Sequence, residues 1–293
     1  MSETGVAPNG HGGGQLDGRN GDGGGHNGTR PRAREPVGAA VALSPGPGCG
    51  RVSVVIPAKN EAKNLAWVLL RIPPYVSEVI LVDGDSTDGT VAIATAARPD
   101  IRIVEDPGRG KGAALRTGFA AATGDSIVML DADGSMDPAE MTRFLAVLAT
   151  GFELVKGSRF MAGGDSTDIT GLRRLGNRAL RSTVNVLYRT RFSDLCYGYC
   201  AFSRSALPAL GLRADGFEIE TEISLHAVAA GLRVCEVPSF EAPRGHGTTS
   251  LRTFRDGQRV LRTVVCERLR PRPAGMFRRP TELDAALPLA SAR

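Results

Sequence analysis

The chain has 293 residues, of which 5% are aromatic and 23% charged, with a formal net charge of +5. That mild basicity, with few aromatic rings and no RNA- or DNA-binding motif among the arginines, argues against nucleic acid as a partner. Five cysteines form no CxxC pair, which argues against a disulfide framework or a zinc site and for a reducing, cytoplasmic compartment.

Residues 1–50 carry 15 of the 37 glycines and almost no aliphatic side chains before Val37. Such a stretch buries too little apolar surface to offset the entropy of ordering, so a disordered tail is expected. It lacks the apolar core behind a basic start that marks a secretory signal. From Val52 the composition is that of a globular domain, expected over residues 51–266. Residues 267–293, basic and punctuated by prolines, read as a flexible tail. No apolar stretch reaches the length that spans a bilayer.

In chain order, residues 52–56 form a β-branched apolar run stopped by Pro57, the pattern of a buried parallel strand. The period of Leu65, Val68, Leu69 and Ile72 predicts a helix over residues 64–72. A second strand over 79–82 ends at Asp83-Gly84-Asp85, and a helix covers 90–98. A shorter strand is predicted over 101–104, a helix over 112–122, and a fourth strand over 126–130 that ends at Asp131. This alternation predicts right-handed βαβ units on a mostly parallel sheet sandwiched between helices, in a single domain. Three strands run straight into polar clusters at residues 59–61, 83–86 and 131–134. In an open parallel sheet that edge is the ligand crevice.

Asp131-Ala132-Asp133 is the sharpest chemical feature. Two carboxylates one residue apart at an exposed strand end offer hard oxygen ligands to one divalent cation, Mg²⁺ or Mn²⁺. Such an ion bridges a diphosphate and offsets the charge that grows on it as it leaves.

With these residues in view, the sequence resembles the family-two glycosyltransferases of GT-A, Rossmann-like fold, especially the dolichyl- and polyprenyl-phosphate sugar synthases. The resemblance runs from Ser53 to about Val264. It rests on residues 54–61, residues 82–90, Gly110-Lys111-Gly112, Asp131-Ala132-Asp133, residues 157–160, Arg244-Gly245-His246-Gly247 and residues 248–251. It implies a nucleotide-sugar donor held by Pro57, Ala58, Lys59, Glu61, Asp83, Asp85, Lys111, Asp131, Ala132, Asp133, Arg159 and Arg244. The metal would lie on Asp131 and Asp133, closer to Asp133, and the two arginines would meet phosphates through bidentate forks. The chain departs from the family where Lys59 replaces a common aromatic, where Asp83-Gly84-Asp85 replaces an acidic pair, and near Ser250, where a lysine for the lipid-linked phosphate is often found.

Residues 172–191 predict a basic amphipathic helix, with Arg173, Arg174, Arg178 and Arg181 and no acid among them. Such a helix suits an anionic membrane surface or an acceptor phosphate. By resemblance, Arg174 and Asn177 would lie near a polyprenyl- or dolichyl-phosphate acceptor, with the protein peripheral on the cytoplasmic face of the membrane. If the acceptor is instead a soluble hydroxyl, a carboxylate must take its proton. Asp194 is the first candidate and Glu222 the second. The family further implies a single inverting displacement at the anomeric carbon. His226, in an apolar run, is expected in the core, and His246 is a candidate phosphate contact. A processive polysaccharide synthase is disfavoured, because Trp67 is the only tryptophan and no Gln-x-x-Arg-Trp occurs. A sugar-phosphate nucleotidyltransferase would want a glycine-rich basic loop where residues 57–61 stand. A nucleotide-sugar-binding protein without activity is the remaining alternative.

Overall fold

Residues Val52–Ala58 (β1) are apolar on both pleats and buried along almost their whole length, as the centre of a parallel sheet requires. The computed structural model describes residues 48–106, 108, 110–247 and 253–270. In chain order, β1 is followed by Ala62–Leu70 (α1), Glu78–Asp83 (β2), Thr90–Ala97 (α2), Arg102–Glu105 (β3), Lys111–Ala121 (α3) and Ser126–Met129 (β4). Next come Met141–Leu148 (α4), Leu154–Ser158 (β5), Asp165–Ser166 (β6), Gly171–Tyr188 (α5), Cys200–Ser203 (β7) and Leu207–Leu210 (α6). Ile219–Ala229 (α7), Val234–Pro238 (β8), Phe240–Glu241 (β9) and Thr253–Leu269 (α8) complete the set.

Seven strands form one sheet in the order β3-β2-β1-β4-β7-β5-β8, and β6 pairs with β9 beside it. In β1, Val55 aligns with Ile80 of β2 on one side and with Met129 of β4 on the other, both in parallel register. Only β7 runs against its neighbours β4 and β5.

The two-residue period of β1 sends alternate side chains to opposite faces, and each face builds its own core. Val54 and Ile56 pack with Leu65 and Val68 of α1 and with Phe144 and Leu145 of α4. Val55 faces the other way, toward Leu115 and Phe119 of α3, Val184 of α5 and Ile223 of α7. Helix α3 lies close to the sheet because Gly118 has no side chain there; a Cβ would collide with Val55 and Val82.

The strands and helices predicted over residues 52–130 all form, with ends shifted by a residue or two. Cys49 is buried, and its Sγ donates to the Leu145 carbonyl at 2.9 Å. Helix α8 continues past residue 266 and buries Glu267. The tails over residues 1–47 and 271–293 lie outside the described residues, as do residues 248–251 with Ser250. Among the described residues, no helix is long and apolar enough to cross a membrane.

Candidate active site

Strands β1 to β4 present their carboxyl ends at one edge, and in the order β3-β2-β1-β4 the direction of winding reverses between β1 and β4. A crevice opens at such a reversal, because the connections leave toward opposite faces. A cavity of about 510 Å³ lies at that edge. Pro57, Ala58, Lys59 and Glu61 line it from β1, Gly84 from β2, and Asp131, Ala132 and Asp133 from β4. Lys111 enters from the start of α3, and Arg159 and Arg244 follow β5 and β9.

The charges in the cavity are interlocked. Lys111 Nζ donates to Asp131 at 2.8 Å and to Glu220 Oε1 at 2.8 Å. Burial works against the ammonium charge, yet the two carboxylates outweigh it and hold Lys111 above the ordinary lysine value. Burial pushes the Asp131 carboxyl up to about 6; Asp133 and Glu220 add to that, and Lys111 opposes it. The Lys111 turn has strict backbone needs. Gly110 sits at φ 132°, a region that side chains rarely enter, and a Cβ on Gly198 would crowd Glu220 and Lys111.

Arg244 joins two strand ends. Its Nη1 lies 2.6 Å from Glu61 Oε1, and its Nη2 lies 3.0 Å from Asp133 Oδ2. Glu61 also accepts from Asn64 Nδ2 at 2.6 Å, while Asp133 Oδ1 accepts from the Ser135 amide. Burial disfavours the Arg244 charge, but Asp133 and Glu61 raise its pKa above the ordinary value.

A second cluster stands under the cavity wall. Asp194 is fully buried and takes Arg159 in a fork, Nε to Oδ2 at 2.7 Å and Nη2 to Oδ1 at 3.0 Å. Arg159 Nη1 reaches Glu241 at 3.0 Å, and Nη2 also donates to the Cys196 carbonyl. Asn177 Nδ2 adds a bond to Asp194 Oδ1 at 3.1 Å. Burial would raise the Asp194 carboxyl, but the Arg159 guanidinium overrides it and holds Asp194 below the usual range. With these partners Arg159 is a fixed strut.

Several expected residues stand elsewhere. Asp194 does not line the cavity, because its carboxylate is enclosed by Arg159 and Asn177. Glu222 also points away, accepting the backbone amides of Arg213 and Ala214. On a helix, residues two apart lie about 200° around the axis, so α7 can turn only one of Glu220 and Glu222 to the cavity. That residue is Glu220. Asp83 is buried beneath Gly84 and accepts the Ser86 amide, whereas Asp85 is exposed at φ 65°. Neither lines the cavity.

On α5, Arg173 and Asn177 reach the wall, while Arg174 stacks on the Phe160 ring with its guanidinium 5.7 Å from the centroid. Leu172, Leu175, Val186 and Leu187 are exposed rather than packed. His226 is nearly buried, with Nδ1 against the Leu210 carbonyl. His246 is exposed, and its carbonyl accepts from Asn64. Cys196 stands in the loop at the cavity and Cys200 in β7, and burial pushes both thiols up to about 12.

The arrangement brings Asp131, Asp133 and Glu220 together on one wall, with two cations braced among them. The Asp131 and Asp133 carboxylates on that wall are hard oxygen donors of the kind that suits Mg²⁺ or Mn²⁺. Glu220 and Glu241 were missed as site residues. The only hint of Glu220 was the alternation of Glu218, Glu220 and Glu222, and Glu241 carried no local signal.

The family model described as Glycosyl transferase family 2 matches residues 53–211. Glycosyltransferase AglJ of Haloferax volcanii is 34% identical over 212 residues, which cover 70% of this chain and 68% of that protein. Polyprenol monophosphomannose synthase of Mycolicibacterium smegmatis is 30% identical over 214 residues, covering 69% and 81% respectively. Among solved structures, glucosyl-3-phosphoglycerate synthase from Mycobacterium tuberculosis, in complex with Mn²⁺, UDP-glucose and glycerol 3-phosphate, aligns with a TM-score of 0.61. It is 25% identical and covers 76% of this chain and 82% of its own.

Proposed function

This chain belongs to glycosyl transferase family 2, and from that premise we propose that it moves a hexose from a UDP- or GDP-sugar to a polyprenyl or dolichyl phosphate. The transfer is a single inverting displacement and depends on Mg²⁺ or Mn²⁺. The observation that carries this reading is the meeting of Asp131, Asp133, Lys111 and Arg244 at the point where the sheet reverses its winding.

The donor lies along the ends of β1 and β4. Glu61 accepts from the base or ribose, and Lys59, whose Nζ now donates to the Gly84 carbonyl at 2.8 Å, borders the same end of the cavity. Asp131 and Asp133 hold the cation, which when bound neutralises charge on the departing diphosphate. Arg244 turns its fork from Asp133 and Glu61 toward phosphate oxygens, and Lys111 keeps its charge because two carboxylates brace it. Arg159 fixes the end of β5 against Asp194, so the donor meets a rigid wall.

The acceptor side is the face of α5. Arg173 reaches the cavity while Leu172 and Leu175 on the same turn are 53% and 64% exposed. Apolar side chains beside arginines suit a peripheral seat on the cytoplasmic face of an anionic membrane. The relative named polyprenol monophosphomannose synthase supports the same acceptor class. A phosphate acceptor is already anionic, so it needs orientation rather than a strong base. A second reading, transfer to a soluble hydroxyl, is favoured by Glu220, a carboxylate on the cavity wall able to take a proton.

The deciding experiment incubates the protein with Mn²⁺ and a panel of UDP- and GDP-sugars, with and without polyprenyl phosphate. Lipid-linked sugar formed from one donor is the expected product. Release of nucleotide with no sugar on the lipid would overturn the acceptor assignment, and no turnover with any donor would overturn the whole reading.

A further inference from the structure

Helices α5 and α8 are joined toward their C-terminal ends. There Val184 and Val264 share one core, and the Tyr188 hydroxyl donates to the Val264 carbonyl at 2.8 Å. Toward their N-termini both helices border the cavity instead. Arg173, Gly176, Asn177 and Leu180 line it from α5, a single stripe at helical spacing, and Asp256, Gly257 and Val260 line it from α8. Two of these wall positions are glycine, the poorest helix former after proline. On α3 packing explains the same choice: a Cβ at Gly112 would collide with the Ala214 carbonyl, and one at Gly118 with Val55. At Gly176 and Gly257 no atom lies within 4 Å of the place a Cβ would take, and neither backbone has a positive φ. The protein's own packing therefore requires glycine at neither position. What the missing side chains leave free is cavity.

The surroundings indicate what that room holds. Leu180 and Val260 give the wall apolar surface, and Phe217, just ahead of α7, links it to the charged end, its ring centroid 5.8 Å from Lys111 Nζ. Outside, Leu172 stands one turn before Gly176 and Leu261 one turn after Gly257, and both are exposed, as are Leu175 and Phe254 beside them. Arg173 adds a cation to the stripe that carries Gly176. A cation, an apolar wall and apolar side chains at the outer surface match an anionic head on an apolar chain. A compact polar acceptor would leave most of that surface without a partner.

We propose that Gly176 and Gly257 set the width of a passage between α5 and α8 through which the acceptor's isoprenoid chain leaves the cavity. The two glycines are specificity-determining residues: they select phosphates that carry a chain, while the donor half of the cavity is untouched by them. The proposal rests on the reading of the acceptor as a polyprenyl or dolichyl phosphate. It adds to that reading where the chain runs and which positions would close its path.

The test titrates farnesyl phosphate and, separately, inorganic phosphate into the full-length protein by calorimetry. Wild type is expected to bind farnesyl phosphate at least about tenfold more tightly than inorganic phosphate, because the chain is held as well as the head. Gly176→Leu and Gly257→Leu should each weaken farnesyl phosphate at least about tenfold and leave inorganic phosphate unchanged. Gln258→Leu, exposed and off the cavity wall, should behave as wild type. Leucine favours a helix more than glycine does, so both glycine variants should melt no lower than wild type. Glycines kept for packing would give the reverse, a lower melting temperature. If a leucine variant does not fold, Gly→Ala at the same position decides, with a smaller loss for farnesyl phosphate expected and no loss counting against the passage. Wild-type affinity for farnesyl phosphate in either folded leucine variant overturns the passage and leaves the acceptor reading standing. Equal affinity of wild type for farnesyl phosphate and inorganic phosphate overturns both.

Discussion

Arg244 Nη2 stands 3.0 Å from Asp133 Oδ2, so the residue expected to meet the donor phosphates is already paired with the carboxylate expected to carry the cation. The same guanidinium holds Glu61 at 2.6 Å. If Arg244 meets the donor as proposed, binding exchanges one set of charge-assisted bonds for another, and the geometry of the fork matters as much as its charge. Arg244→Lys keeps the charge but loses the planar pair of N–H groups. It should raise the KM for the nucleotide sugar about 10–100-fold, the value of about 1.5–3 kcal/mol for a charged hydrogen bond. Steady-state kinetics over a donor titration checks this; an unchanged KM would remove Arg244 from the donor site.

Asp133→Ala should lower kcat by about 10²–10³-fold or more, as expected when a group stabilising transition-state charge is lost. The side chain is not part of either core, so the circular dichroism spectrum and melting temperature should stay close to wild type. Turnover at the wild-type rate would end the assignment of Asp133 as a metal ligand.

Cation binding should weaken in acid. Burial, with Asp133 and Glu220, pushes the Asp131 carboxyl up to about 6. Below that value a proton occupies the ligand and must be displaced, so Mn²⁺ affinity should fall by up to about tenfold per pH unit. Above it the carboxylate is free of protons and affinity should level off. Calorimetric titration of Mn²⁺ at pH 5, 6 and 7.5 reads this directly, and a flat profile would contradict it.

Asp194→Asn should destabilise the fold by about 3–5 kcal/mol, because it leaves Arg159 buried opposite a neutral amide. The pH dependence has a definite sign. Asp194 titrates below its unfolded value, so its stabilisation is present above that value and is lost as pH falls through the folded one. The urea midpoint of wild type should therefore drop in acid more than that of Asp194→Asn. Parallel midpoints across the acid range would refute the pairing energy.

The parts of this molecule that could be read from sequence are those in which local pattern and tertiary role agree. Residues 54–56, 79–82 and 127–130 are unbroken apolar runs ended by Pro57, Asp83 and Asp131, the composition that burial on both faces of a strand favours. β7 was not foreseen, for it is four residues long and lies beside the turn at residues 194–199, where the residue pattern suggested a site more than a strand. Asp194 stands out in the sequence by its resemblance to the family's aspartate before a glycine–aromatic turn, but its partner Arg159 also binds Glu241, which lies far along the chain and carries no local pattern. Choosing between Glu220 and Glu222 required the rotation of α7, which three alternating acids do not reveal.

The reversed direction of β7 has one more outcome. In a strand parallel to its neighbours, the segment leaving it would border the opening; in β7 it is the segment entering, residues 196–198, that does so. The rim is thus furnished by early and late parts of the polypeptide through separate loops. Insertions ahead of β7 could remodel which alcohol or phosphate is admitted while the nucleotide half kept its shape, a division of labour that would let one scaffold diversify its products cheaply.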